Sequence, residues 1–262
     1  MIIYKTPDEI ESIRKSGRLA ADVLTFIEPH VKPGASCLEL NDLCHDFIVK
    51  HGATPSPLNY RGFPKSICTS VNDVVCHGIP GPYKLRDGDI VNLDITTFLD
   101  GFHGDTSKTF LVGKCSRAVR QLVGDAEASM WEGIRAVKPG GHVGDIGHAI
   151  QSFLEPKGYS IVREYCGHGI GRNFHEDPHV VHVGRKGSGS ALKPGMVFTI
   201  EPMVNQGDDE IYVEDDDWTV RTKDRKLSAQ FEHTVAIFED RVEILTLPSD
   251  SELDPVVWRR AR

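Results

Sequence analysis

Hydrophobic and polar side chains alternate through residues 90–96: Val91, Leu93 and Ile95 against Asn92, Asp94 and Thr96. A period of two predicts a β-strand with one face in the core and the other polar. The same reading sets Thr199 beside Glu201 in MVFTIEP and Thr234 beside Glu232 in FEHTVAI. In FHGDTSKTF it sets His103, Ser107 and Thr109 beside Asp105. Four acids thus stand in or at the end of short apolar runs, and their strands are expected to share one polar pit. An ionised carboxylate buried without a partner costs on the order of several kcal/mol. A bound cation is the simplest compensation.

Between these strands the spacing becomes helical. Thr6, Pro7 and Glu9 form a capping box with proline at the first helical position, followed by Ile10, Ile13, Gly17, Ala20, Ala21 and Leu24. Ser36 with Glu39 starts a second helix to about residue 50, Ser116 a third to about 137, and 143–154 reads as a fourth. Val31-Lys-Pro-Gly recurs as Val137-Lys-Pro-Gly, and the stretch ending in Asp94 is echoed by the one ending in Glu201. The two offsets, 106 and 107 residues, are nearly equal, and turn chemistry alone would not also align the acids. The expectation is one α/β (α+β) domain spanning 1–262. It would be built from duplicated halves of about 6–112 and 116–247, an antiparallel sheet with helices outside, and a surface tail over 248–262.

Composition narrows the function. A chain of 262 residues with 39% hydrophobic content can bury a sizeable core. Its net charge of −8 disfavours non-specific nucleic-acid binding. Six cysteines without a C-x-x-C pair argue against a cysteine zinc site or a disulfide scaffold and for a reducing, cytoplasmic setting. No segment approaches the roughly 20 apolar residues of a membrane span, and the N-terminus has no signal-peptide pattern. Residues 186–190, KGSGS, read as a flexible loop.

The chemistry concentrates around GHGIGRNFHEDPH, residues 167–179. Its His175-Glu-Asp-Pro-His179 matches H-E-x-x-H, but that zinc motif needs a continuous helix, which Pro178 forbids. The better ligand set is Asp94, Asp105, His168, Glu201 and Glu232. Four carboxylates and one imidazole suit two divalent ions about 3.5–4 Å apart, whose charge of roughly +4 they offset. Cobalt, manganese, iron and zinc are all compatible with such donors.

The order Asp, Asp, G-H-G-I-G, I-E-P, E-H-T resembles the methionine aminopeptidases, specifically their short type I form. So do NYRGFPKSIC from Asn59, NDVVCHG from Asn72 and WTVRTKDRKLSAQFEHT from Trp218. The resemblance runs from about Thr6 to Leu247 and implies the pita-bread fold. It also implies a dinuclear-metal-activated water and removal of N-terminal methionine before a small second residue. Glu201 would be both ligand and proton shuttle, His175 the donor to the scissile carbonyl, and His77 a contact of the peptide amide. Tyr60, Phe63, Cys68, Phe174 and Trp218, with His77 and His175, would hold the substrate. Asn72, Val74 and Ser228 resemble a monovalent-cation site for Na⁺ or K⁺. Two departures stand out: Pro57 where bacterial relatives often carry cysteine, and Phe63 where they often carry tyrosine. The implied partners are peptides and nascent-protein N-termini, met at the ribosome surface by a monomer. A proline-specific peptidase of the same fold, and a binding module without activity, are the rivals.

Overall fold

A computed structural model describes residues 1–260. The four expected helices form where their caps place them: α1 (Pro7–Ile27), α2 (Cys37–Lys50), α3 (Arg117–Ala136) and α4 (Val143–Leu154). Thr6 and Ser36 each complete a capping box with the glutamate three residues on. Ser116 caps α3 alone. The Asp145 carboxylate accepts the His142 backbone N–H at the start of α4, 2.8 Å away.

The central hairpin pairs Ile90–Leu99 with Phe102–Leu111 without a slip, from Ile90 opposite Leu111 to Leu99 opposite Phe102. Its two-residue turn is Asp100-Gly101, both at positive φ (51° and 85°), which matches the right-handed twist of the flanking strands. This register sets Asp94 opposite Ser107 and Thr96 opposite Asp105, so both acids project from one face. Thr54–Pro55 and Cys68–Val71 flank the Ile90–Leu99 strand.

A second, six-stranded antiparallel sheet runs in the order Val256–Arg259, Arg241–Ile244, His233–Ile237, Val197–Ile200, Gly167–Gly169, Glu176–Val180. The hairpin is stitched to the approach of its His233–Ile237 strand. The Glu232 N–H donates to Ser107 O at 3.0 Å, Thr106 Oγ1 to Glu232 O at 2.7 Å and Thr234 Oγ1 to Asp105 O at 2.7 Å. Helices α1 and α2 bury an apolar face against the hairpin, and α3 and α4 against the six-stranded sheet. The helices therefore lie outside an antiparallel β framework, as expected.

One expectation fails. The stretch after 248 is not only a surface tail, because Val256–Arg259 extends the six-stranded sheet with Trp258 opposite Val242 and packed on the core. The Arg241–Ile244 strand offered an open edge of unpaired N–H and C=O groups, and Val256, Val257 and Trp258 have the side chains a half-buried strand favours. Residues 261 and 262 of that tail lie outside the described residues. All six cysteines are free, five of them buried.

Candidate active site

The polar pit predicted from alternation is one cavity of about 680 Å³. Asp94, Asp105, His168, Glu201 and Glu232 all line it, although they come from different strands or strand ends. Ligand atoms of Asp105, His168 and Glu232 lie within 4.8 Å of one another.

Local structure orients each group. His168 sits on a short strand between Gly167 and Gly169, where a Cβ would meet Thr199 O at 2.4 Å and Asp177 O at 2.1 Å respectively. Only glycine permits such a close approach of neighbouring backbone. The His168 Nδ1 pairs with Gly169 O at 3.0 Å, and because a carbonyl can only accept, the proton resides on Nδ1. The unprotonated Nε2 then faces Asp105 Oδ2 (3.6 Å) and Glu201 Oε1 (3.7 Å). Thr96 Oγ1 donates to Asp105 Oδ1 and Thr199 Oγ1 to Glu201 Oε1, each at 2.7 Å, while Gln230 Nε2 reaches Glu201 Oε2 at 3.2 Å. Asp94 Oδ1 and Glu232 Oε1 are buried with no hydrogen-bond partner among the described residues.

Burial is the main force on every ionisation here. It lifts Asp94 to about 7 and Glu201 to about 8. It pushes Asp105 and Glu232 well above the ordinary carboxylate range, with the neighbouring acids adding to the rise. Burial also drives His168 down to about 4, so the imidazole stays neutral. Four acids that resist ionising together, two orphaned carboxylate oxygens and a neutral imidazole lone pair form a donor set suited to divalent cations. The residues present fit the expected metal ions.

The other expected residues surround this cluster. His77, at φ 55°, follows the strand Val74–Cys76 and lies edge-on to Trp218 (6.3 Å) and Tyr165 (5.3 Å). Burial holds it near 4 and therefore neutral. His175 stacks on Phe174 at 4.3 Å, and its Nδ1 pairs with the Tyr60 hydroxyl at 3.0 Å. Phe63, 2% exposed, meets Trp218 edge-on at 5.2 Å, and Cys68 and Pro57 also line the cavity. The H-E-x-x-H match is carried by the strand Glu176–Val180, not by a helix, as expected. Asn72, Val74 and Ser228 lie off the cavity. The Ser228 N–H donates to Asn72 O at 2.9 Å, and Ser228 Oγ lacks a partner among the described residues.

Other contributors escaped sequence reasoning. Gln230 shares the face of Glu232 by alternation and could have been found that way. Tyr165, Cys76 and Met203 line the cavity with no such signal, and His182 touches Glu201 from a loop.

Residues 11–239 match the model of metallopeptidase family M24. The chain is 54% identical over 258 residues to methionine aminopeptidase of Escherichia coli strain K12, covering 98% of each chain. Its fold superposes on the crystal structure of methionine aminopeptidase from Rickettsia prowazekii with a TM-score of 0.93, at 52% identity over 94% of this chain and 100% of that one. The Xaa-Pro dipeptidase of Bacillus anthracis shares the fold alone (TM-score 0.74, 22% identity, 96% of this chain), and the match spans 63% of that longer chain. Sequence and fold agree: the chain belongs to metallopeptidase family M24 and, within it, to the methionine aminopeptidases.

Proposed function

We propose that this chain hydrolyses the first peptide bond of polypeptides beginning with methionine and a small second residue, with two divalent ions held by Asp94, Asp105, His168, Glu201 and Glu232. The observation that carries the reading is the convergence of those five side chains on a cavity whose neighbouring wall is Phe63, Trp218, Tyr60 and Phe174. Thioether sulfur packs favourably against aromatic edges. When bound, the ions would supply Lewis acidity and lower the pKa of water enough to give a nucleophile at neutral pH.

The protein groups supply the rest. Glu201, steadied by Thr199 and Gln230, takes the proton from the attacking water and passes it to the departing amine as the C–N bond breaks. His175, whose Nδ1 is engaged by Tyr60, has Nε2 free to donate to the carbonyl oxygen as negative charge develops there. Neutral His77 contacts the peptide amide, and crowding between His77 and His175 limits the second residue to a small side chain. Asn72, Val74 and Ser228 hold a monovalent cation beneath the His77 loop. Ser228 Oγ and Asn205 Oδ1 of its cross-strand partner, both without a hydrogen-bond partner among the described residues, support that site.

Asp94 and Glu201 are counterparts in duplicated halves, since each stands in or just past a strand whose antiparallel neighbour carries or adjoins another acid, Asp105 or Glu232. Nascent chains at the ribosome surface, met by a cytoplasmic monomer, are the proposed substrates. The lack of any described helix long and apolar enough to cross a membrane is in keeping with that setting.

The test is hydrolysis of Met-Gly-Met-Met, Ala-Pro and Gly-Pro peptides with added Mn²⁺ or Co²⁺. Cleavage of the methionyl peptide alone is expected. Cleavage only before proline would overturn the reading in favour of a proline-specific peptidase, and no cleavage would favour a binding module.

A further inference from the structure

Glu201 is the first residue beyond the strand Val197–Ile200, and its backbone leaves the β ladder there. Its N–H donates to His182 Nε2 at 3.0 Å, and its carbonyl accepts from Gln230 Nε2 at 3.2 Å. Pro202 follows, which has no N–H and restricts Glu201 to extended conformations. Two side chains therefore orient the peptide units that aim the Glu201 carboxylate.

His182 is well suited to this. It is 1% exposed, and because a backbone N–H can only donate, its Nε2 must be the unprotonated nitrogen. The proton is then on Nδ1, which has no hydrogen-bond partner among the described residues. A buried donor left without a partner is a cost that a purely space-filling position would shed by carrying an apolar side chain. The loop bearing His182 is pressed onto α4 at Gly147, where a Cβ would meet Val181 O and Val183 O at 2.7 Å. Gly184 N–H donates to Gln151 Oε1 at 3.0 Å and Gly187 N–H to Asp145 Oδ1 at 2.7 Å, so α4 fixes the loop from both sides of its turn.

We infer that His182 is a positioning residue for the hydrolytic reaction: through the Glu201 backbone amide it sets the carboxylate that binds metal and moves the proton. This rests on the role proposed for Glu201 above. A neighbour that orients a ligand in this way typically contributes about 10- to 100-fold in activity or metal affinity.

The test compares His182→Leu, which removes the acceptor, with His182→Gln, whose side-chain oxygen can reach the Nε2 position. For the leucine variant, kcat on Met-Gly-Met-Met is expected to fall about 10- to 100-fold with KM within about twofold, and Mn²⁺ to bind the stripped protein about tenfold more weakly by calorimetry. The glutamine variant should recover most of both. In zinc-loaded, ¹⁵N-histidine-labelled wild type, His182 should appear as the Nδ1–H tautomer, a readout independent of any variant's folding. Wild-type kcat and Mn²⁺ affinity in His182→Leu, equal losses in both variants, or a protonated Nε2 would each overturn the inference. Glu201→Gln is run alongside. If it stays active, the proposed role of Glu201 fails; if it is inactive while His182→Leu is fully active, only the positioning role fails.

Discussion

His168 Nε2 stands 3.6 Å from Asp105 Oδ2, yet the two do not form an ion pair. Burial holds the imidazole near pKa 4 and pushes the carboxyl upward, so neither side takes the charge a salt bridge requires. The separation is that of two donors aimed at a common point.

Asp105→Asn removes one anionic donor and leaves the shape of the cavity. Methionyl-peptide hydrolysis is expected to vanish and Mn²⁺ binding to weaken in calorimetry. The stripped variant at pH 8 should be at least as stable as stripped wild type, because one buried acid has gone. Retained activity would remove Asp105 from the ligand set.

Stripping the metal should make stability depend on alkaline pH. A carboxyl whose folded pKa lies above its unfolded value of about 4 binds protons preferentially in the fold. Its contribution is fully present below the unfolded pKa and is lost as pH rises through the folded one. For Asp94 and Glu201 that upper limit is about 7 and about 8. The buried histidines, whose folded pKa values lie near 3 to 4, pull the other way until the unfolded imidazoles have lost their protons, so they add little opposing trend above about pH 7.5. The Tm of chelated protein should therefore drop by roughly 5 °C or more between about pH 7.5 and 9.5, as Glu201 and the higher-lying Asp105 and Glu232 ionise, and added Mn²⁺ should flatten the curve. A chelated Tm that rises over this range would contradict the buried-acid account.

His175→Ala leaves the carboxylates untouched but removes the hydrogen-bond donor beside them. A kcat lower by roughly 10²–10³ is expected, with metal content unchanged by elemental analysis. Loss of metal would instead make His175 a ligand.

Phe63 is almost fully buried and braces Trp218 edge-on at 5.2 Å. Phe63→Ala should lower unfolding free energy in urea by about 3–5 kcal/mol. It should also raise KM for methionyl peptides about tenfold, the share of methionine burial that one lost wall supplies. An unchanged KM would place the methionine side chain elsewhere.

Much of the frame was local and therefore legible. The capping residues Thr6, Ser36 and Ser116 specify where helices start, because their side chains satisfy backbone donors within one turn. Alternation around Asp94 and Asp105 specifies which strand face is polar, and the Asp100-Gly101 turn specifies the register that brings those acids together. The tail strand was not legible, because Val256–Arg259 pairs only where another segment leaves an edge open. Tyr165 and Met203 were missed for a similar reason: their side chains reach the cavity through the packing of separate sheets.

The amino-acid sequence by itself determined that four acids stand in or at the end of short apolar runs, where ionised carboxylates are costly, because burial energetics follow from residue type and period. Tertiary structure alone decided how they meet. It placed the His168 lone pair between Asp105 and Glu201, left Asp94 Oδ1 and Glu232 Oε1 without partners among the described residues, and brought His182 onto the Glu201 amide. Those relationships depend on distances between segments far apart in the chain, which close only when the hairpin and the six-stranded sheet pack together.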